Sequence, residues 1–118
     1  MDFDAAIREH ADYKVKLVLY LNESGKLDEK RLSKPSSCTL GGWIKQCQKQ
    51  HFHLIEFKDM VTVHKRFHET AGNILTLIKD GKRYDAKEAL GADGIFSEIT
   101  TELSQKLLLL KRRFAKAG

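Results

Sequence analysis

The sequence contains a single proline and only two cysteines among its 118 residues. A sandwich of short β-strands needs many turns, and proline is common in turns, so its scarcity favours long helices. Cys38 and Cys47 could form a disulfide only in an oxidising compartment. We therefore expect metal or redox chemistry to be the use of either cysteine.

The sequence also lacks long apolar runs. None approaches the ~20 residues needed to span a bilayer, and Met1 to Ile7 lacks the basic and apolar segments of a signal peptide. We therefore expect a cytoplasmic protein with no membrane insertion. The length predicts a single domain over residues 1–118, with an ordinary globular composition of 42% hydrophobic and 31% charged residues.

The basic residues are not concentrated in one region, although the formal net charge is +5. Their densest run, Lys111 to Arg113 beside Lys116, lies at the very end of the chain. We find neither the aromatic-plus-basic pattern of RNA-binding modules nor a helix-turn-helix signature. The charge pattern is that of solvated helix faces, and no nucleic-acid partner is expected.

Apolar periodicity predicts an all-α fold, namely an antiparallel four-helix bundle with a short extra helix or turn between helices one and two. Helix one spans Asp2 to Asn22 and stops at Ser24-Gly25, and helix two starts at Cys38. Helix three runs from about His53 to a turn at Asp80-Gly81-Lys82, and helix four runs from about Tyr84 to Lys116. Gly91 to Gly94 is expected to bend or divide the fourth helix. Between helices one and two, Leu27 and Leu32 are the expected anchors of a polar connection.

Helices one, three and four each carry an apolar stripe that we assign to the core. The stripes comprise Phe3, Ile7, His10, Leu17 and Leu21 in helix one; Ile55, Met60, Val63, Phe67, Ile74, Leu77 and Ile78 in helix three; and Ile95, Ile99, Leu103, Leu107, Leu110 and Phe114 in helix four. Leu108 and Leu109 extend the last stripe almost around the helix. This pattern indicates a homodimer or a neighbouring domain, unless helix four is buried between the other helices.

Two histidines of helix three, His64 and His68, are four residues apart. This spacing places both imidazoles on one helix face, where they can bind one metal ion. His10 lies on the inward stripe of helix one. Cys38 lies in the first turn of helix two if Ser36 or Ser37 is the N-cap, and the helix dipole there favours a thiolate.

The adjacent Gly41 and Gly42 cost helix stability and indicate a close approach of another group. Trp43 is expected in the core, and Cys47 is expected to be a structural or exposed thiol. His51 and His53 would face different directions on a helix, so we expect them at the surface. These residues are therefore not assigned to a metal site.

An antiparallel bundle can bring His10, Cys38, His64 and His68 to one layer of the core. Three imidazoles and a thiolate form a closed four-ligand set of the kind that tetrahedral Zn²⁺ accepts, whereas magnesium and calcium prefer oxygen ligands. The sequence thus predicts a Zn²⁺ site made by these four residues.

The sequence resembles the chemoreceptor zinc-binding domain of bacterial signalling proteins. The resemblance is carried by three motifs in order: His10-Ala11-Asp12-Tyr13-Lys14, similar to H-x-x-[WYF]-K; Cys38 to Trp43, matching C-x-L-G-x-W; and His64 to His68, matching H-x-x-x-H. The family's zinc ligands carry over to the same four residues. Two departures are Gly42, a flexible residue inside the second motif, and Tyr13, where tryptophan is frequent.

The resemblance implies a regulatory domain, not an enzyme, that is usually fused to a chemoreceptor signalling module or a diguanylate cyclase. Its input would be zinc occupancy or oxidation of Cys38, and its output is expected through helix four. Two metal-dependent alternatives stay open at this point. A zinc hydrolase would need an acid/base residue, for which only Glu69 is indicated, and a hemerythrin-like di-iron protein would need more histidine and carboxylate ligands.

Overall fold

A computed structural model describes residues 1–23 and 25–117 of the chain, and Ser24, part of the expected stop after helix one, lies outside them. All regular secondary structure in the described part is helical. Its elements are α1 (Phe3–Leu21), α2 (Glu29–Ser33), a 3-10 turn (Pro35–Ser37), α3 (Thr39–His51), α4 (Ile55–Lys79), α5 (Arg83–Leu90) and α6 (Ile95–Ala117). The expectation of an all-α bundle is confirmed. The predicted short helix between the first two long helices is α2, and the 3-10 turn follows it.

The helix boundaries follow from local hydrogen bonding. Asp2 caps α1, because its carboxylate accepts the backbone N–H of Ala5 at 2.9 Å. Asp28 caps α2 in the same way through the N–H of Arg31 at 3.1 Å. Gly81 follows α4 with a φ of +76°, a conformation that glycine adopts without strain. The expected turn at this position is therefore confirmed.

The long helices α1, α3, α4 and α6 alternate in direction along the chain. Contacts between distant parts of the sequence define these directions: Asp4 with Lys111 and Lys14 with Ser97 between α1 and α6, and Glu56 with Arg113 and Arg66 with Glu102 between α4 and α6. In each pair of helices the residue numbers rise along one helix as they fall along the other. α3 runs antiparallel to α4 in the same way, because Cys38 lies beside His64 and His51 lies beside Phe57. The packing is therefore that of an antiparallel bundle, whose hydrophobic residues form one core cluster.

Two residues assigned to the core by periodicity lie outside it. Ile55 is 64% exposed and Ile95 is 57% exposed. Each is the first residue of its helix, where the chain enters from a surface turn. Phe57 and Phe96, which follow within the same first turn, are fully buried in the corresponding core positions. The core assignment of these two isoleucines was wrong.

The predicted fourth helix is divided into α5 and α6 at Gly91 to Gly94, as the glycines indicated. Its leucines separate into two faces, because Leu107 and Leu110 are fully buried whereas Leu108 is 39% and Leu109 is 46% exposed. Part of the apolar surface of α6 is thus uncovered within the chain. Among the described residues, no helix combines the length and the apolarity needed to cross a bilayer.

The short helix α2 packs onto α4 at a point where α4 carries small residues. A Cβ atom added at Gly72 would lie 3.3 Å from Cβ of Ser33, and neighbouring Ala71 is fully buried. Leu32 of α2 is fully buried and Leu27 is partly buried, as expected for the anchors of this connection. The close packing brings the backbone of α2 to the side chains of α4.

Candidate metal centre

Four side chains from three parts of the chain meet in the interior of the bundle. They are His10 of α1, Cys38 before α3, and His64 and His68 of α4, and their donor atoms all lie within 4.8 Å of one another. Each is at most 3% exposed. The structure thus brings together all four residues that the sequence assigned to a metal site.

The spacing of the donor atoms suits a tetrahedral metal ion. The Nε2 atom of His64 lies 3.2 Å from Sγ of Cys38 and 3.1 Å from Nε2 of His68, while Nε2 of His10 lies 3.7 Å from Sγ. For Zn–N bonds of ~2.05 Å and Zn–S bonds of ~2.3 Å, tetrahedral geometry requires about 3.3 Å between nitrogens and about 3.6 Å between nitrogen and sulfur. The donor chemistry and these distances fit Zn²⁺.

The orientation of two imidazoles is set by backbone carbonyls. Nδ1 of His10 lies 2.7 Å from the carbonyl oxygen of Ala6, and Nδ1 of His68 lies 2.6 Å from that of Leu32. A carbonyl oxygen can only accept, so Nδ1 carries the proton in both rings and Nε2 presents a lone pair. Second ring nitrogens held in this way are typical of metal-binding histidines.

The surroundings also keep the imidazoles neutral, which is the form that binds metal. Burial lowers the pKa of His10. Burial, followed by the proximity of His68 and His10, lowers the pKa of His64, and burial lowers that of His68 to about 4. At neutral pH these rings need not lose a proton before they coordinate a cation.

Cys38 is itself the N-cap of α3 and precedes its first turn, which differs from the expected placement. Its Sγ accepts the backbone N–H of Gly41 at 3.3 Å, as the oxygen of a capping serine would. Burial nevertheless raises the pKa of the Cys38 thiol and outweighs this hydrogen bond. The N–H groups at the helix start do lower the pKa of Cys38, as expected, but in the metal-free chain desolvation of the buried charge is the larger effect.

Only one of the two adjacent glycines is needed for a close approach. A Cβ atom at Gly41 would lie 1.8 Å from the carbonyl oxygen of Pro35, whereas one at Gly42 would meet no atom within 4 Å. Gly41 thus allows the 3-10 turn to pack against α3 beside Cys38. The expectation of a close approach is confirmed for Gly41 and was wrong for Gly42.

The polar contacts that link Tyr13, Glu9 and Arg31 beside the four donors were not anticipated from the sequence. The hydroxyl of Tyr13 donates to Glu9 at 3.3 Å, and Glu9 also accepts from Arg31 at 3.1 Å. Burial and the Glu9 carboxylate raise the pKa of Tyr13, so its hydroxyl remains a donor. The hydroxyl gives Tyr13 a polar contact next to His10. Such partners have no sequence signature, because they depend on how the connection folds back.

A cleft of about 200 Å³ at the start of α3 leads from the surface to His64. It is lined by Pro35, Ser36, Gly41, Ile44, Lys45, Gln48, Val61, His64 and Lys65. None of these residues has a carboxylate. Glu69, the acid/base residue indicated by the sequence, is exposed and lines a different groove with Arg66 and Glu102.

The other histidines and the second cysteine lie apart from the four donors. His53 is exposed, as expected. His51 is only partly exposed, because its ring packs 4.7 Å from that of Phe114 and stacks on Trp43 at 6.0 Å. Trp43 is itself partly buried against the core, and Cys47 is a partly exposed free thiol. The expectation that His51 is a surface residue therefore holds only in part.

The fold and the site together define a class of protein: a small helical bundle with a buried cluster of three histidines and one cysteine, suited to a tetrahedral metal ion. The family model described as the chemoreceptor zinc-binding domain matches residues 10–75, more than half of the chain and all four donors. The chain therefore belongs to the chemoreceptor zinc-binding domain family. No curated protein and no solved structure matches it.

Proposed function

We propose that the chain is a zinc-binding regulatory domain of bacterial signal transduction and that His10, Cys38, His64 and His68 hold the Zn²⁺ ion. The convergence of these four buried donors from α1, α3 and α4 is the observation that carries the proposal. Membership of the chemoreceptor zinc-binding domain family supports the same metal and the same role.

Zinc would act by joining three helices. The site links α1, α4 and the start of α3, so that the binding energy of the ion contributes directly to the packing of the bundle. Loss of zinc would remove this link. Oxidation of Cys38 would have a related effect, because it would remove the one sulfur donor and leave three imidazoles. Both inputs belong to the proposal, and zinc occupancy is the simpler of the two.

We propose a regulatory role and no enzymatic activity. A catalytic zinc site keeps a position open for water and needs a nearby acid or base. Here four protein donors can fill a tetrahedral shell, and the cleft that reaches His64 has no carboxylate in its lining. A di-iron site would require carboxylate ligands, and the cluster of four donors contains none. The geometry therefore favours regulation over both alternatives.

The proposed output passes through α6 to a second copy of the chain and to a chemoreceptor or cyclase-type effector in the cytoplasm. Leu108 and Leu109 support this proposal, because they leave part of α6 apolar and exposed. α6 also packs along α1 and α4, which carry three of the four donors. A change in the packing of these helices would reach α6 directly. No nucleic-acid partner is proposed.

The proposal can be tested by fusing the chain through α6 to the catalytic domain of a diguanylate cyclase. Zinc should change the cyclase activity of the fusion, and a strong zinc chelator should reverse the change. The same fusion with Cys38→Ala should lose the response, whereas Cys47→Ala should keep it. A fusion that binds zinc without any change in activity or in oligomeric state would contradict the regulatory role.

A further inference from the structure

Arg31 lies in α2, on a segment that supplies none of the four donors. Its Nη2 atom donates to Oε1 of Glu9 at 3.1 Å and to Oγ1 of Thr39 at 3.0 Å. Glu9 belongs to α1 and Thr39 is the first residue of α3. One guanidinium nitrogen thus connects three elements of the chain.

Each residue in this set is next in sequence to a residue that makes or orients the candidate site. Glu9 precedes His10, and Thr39 follows Cys38. Arg31 itself precedes Leu32, whose carbonyl oxygen accepts Nδ1–H of His68 at 2.6 Å. The contacts of Arg31 therefore tie together side chains that are next in sequence to two donors, and Arg31 is itself next to the hydrogen-bond acceptor of a third.

We propose that Arg31 is a positioning residue for the metal centre, an inference that rests on the proposed zinc-binding function. We call the two hydrogen bonds from Arg31 to Glu9 and Thr39 the Arg31 bridge. The bridge holds α2 and the 3-10 turn against the site before the ion binds. His68 and Cys38 are then already placed for coordination. Partners that hydrogen-bond a metal ligand typically change metal affinity by about 10- to 100-fold, and Arg31 acts one contact further out, so we expect the lower end of that range.

The physical reason lies in the weakness of the segment that the bridge holds. α2 has five residues, far too few to be stable alone, and it is held to α4 by the buried side chain of Leu32 and by the ion pair of Glu29 with Lys79. Without the bridge, this segment would gain conformational freedom in the metal-free chain. Zinc binding would then have to order it again, and that entropy cost would lower the affinity.

An ordinary surface ion pair would behave differently. The Arg31 side chain is 41% exposed and that of Glu9 is 23% exposed, so the pair by itself should add little to the stability of the fold. Arg66 offers a matched comparison. It lies between His64 and His68 in sequence and forms an exposed pair with Glu102 at 3.5 Å, but Glu102 is on α6, which carries no donor.

The test compares Arg31→Met and Arg66→Met by two measurements on each protein. Zinc affinity is measured by competition with a chromophoric chelator, and thermal unfolding is followed on the zinc-free protein. Arg31→Met should bind zinc about tenfold more weakly or worse than wild type, with a similar unfolding midpoint. Arg66→Met should bind zinc within about twofold of wild type. Arg31→Lys, which keeps the charge and the N–H donors, should recover part of the affinity.

Two further variants ensure that the result does not depend on Arg31→Met folding correctly. Glu9→Gln and Thr39→Val nearly conserve shape, and each should weaken zinc binding. Neither should weaken it further when combined with Arg31→Met, because all three act through one bridge. Cobalt-loaded wild type should show the strong absorption of tetrahedral Co²⁺ with a thiolate ligand, and Arg31→Met should show an altered spectrum.

The inference is overturned if Arg31→Met binds zinc as tightly as wild type, or if it loses no more affinity than Arg66→Met. It is also overturned if the affinity losses of Arg31→Met and Glu9→Gln simply add. These outcomes leave the proposed function intact, because wild type would still bind zinc. Failure of the wild-type chain to bind zinc would overturn both.

Discussion

Two clusters of rings in this bundle contain histidine, and they differ in how the imidazoles are held. The first cluster is the layer of the candidate metal centre, which we call the metal layer. Its histidines, His10, His64 and His68, are buried, and carbonyl oxygens fix Nδ1 in two of them. In the second cluster, His51 packs by its ring faces against Trp43 and Phe114. We call this second group, completed by Phe3 and Phe57, the aromatic end.

The difference shows which features make the first set of histidines candidate metal ligands and the second a packing group. The aromatic end uses imidazole as one more flat ring that fills space between α3 and α6. In the metal layer the nitrogens make the contacts: the backbone holds Nδ1 of His10 and His68, and Nε2 of His10, His64 and His68 lies in one cluster with the sulfur of Cys38. Burial alone does not make the distinction, because both clusters lie against the core.

The largest expected effect on zinc affinity comes from removing a donor. Cys38→Ala should weaken zinc binding by at least about a hundredfold, because a structural zinc site with ~10–16 kcal/mol of binding energy gains about 3 kcal/mol from each of four ligands. Cys47→Ala and His51→Ala should leave the zinc affinity unchanged. Isothermal titration with a competing chelator measures the difference. Equal losses of zinc affinity in Cys38→Ala and His51→Ala would contradict the distinction between the two clusters.

A substitution in the aromatic end should affect stability and not metal binding. Phe57 is fully buried and contacts both Trp43 and His51, so Phe57→Ala should lower the free energy of unfolding by about 3–5 kcal/mol. Below its unfolding midpoint the variant should still bind one zinc ion per chain. Urea denaturation and metal analysis check both statements. Loss of zinc from a variant that is still folded would show that the two clusters are coupled.

The buried imidazoles of the metal layer predict the pH dependence of the zinc-free protein. Their pKa values are lowered in the folded state, to about 4 for His68, so the unfolded state binds protons first as the pH falls below ~6.5. The contribution of these histidines to the free energy of unfolding is therefore fully present above that pH, and it is lost as the pH falls towards their folded-state pKa values. The loss should be about 1.4 kcal/mol per pH unit for each histidine that stays neutral.

Urea denaturation of the zinc-free protein at pH 7 and at pH 5 measures this dependence. In His64→Leu the free energy of unfolding should change less with pH, because the variant has one buried titrating histidine fewer. A stability that is constant between these pH values would mean that the three rings are not held neutral in the interior.

The smallest effects separate the two adjacent glycines of α3. Gly41→Ala should destabilise the protein by about 1–3 kcal/mol and weaken zinc binding, because its Cβ would overlap the carbonyl oxygen of Pro35 next to Cys38. Gly42→Ala has free space and should stabilise the helix by about 0.5–1 kcal/mol without affecting the metal. Thermal unfolding of both variants, with and without zinc, checks the pair. Equal behaviour of the two would contradict the close approach at Gly41.

The candidate site was largely predictable because its four donors are side chains at informative spacings. His64 and His68 share a helix face by their separation alone, and the motif around Cys38 gave the family. The Arg31 bridge and the carbonyl of Leu32 could not be predicted in this way. A backbone carbonyl is the same in every residue, and only the folding of the connection brings Arg31 to Glu9 and Thr39.

The helices were predictable from periodicity, but their first residues were not. Ile55 and Ile95 fit the apolar spacing, yet the chain enters both helices from the surface, and Phe57 and Phe96 occupy the core positions. The charge state of Cys38 in the metal-free chain could not be predicted for a similar reason. Sequence position indicates a helix start, where a thiolate is favoured, but burial has the larger and opposite effect on the pKa.

The central claim is that His10, Cys38, His64 and His68 hold one zinc ion. X-ray absorption spectroscopy of the zinc-loaded chain tests it most directly, because it distinguishes nitrogen from sulfur ligands. We predict one zinc per chain with three nitrogen ligands at ~2.0–2.1 Å and one sulfur ligand at ~2.3 Å, and no sulfur ligand in Cys38→Ala. A shell without sulfur in the wild-type chain, a shell with two sulfurs, or no zinc uptake at all would contradict the claim.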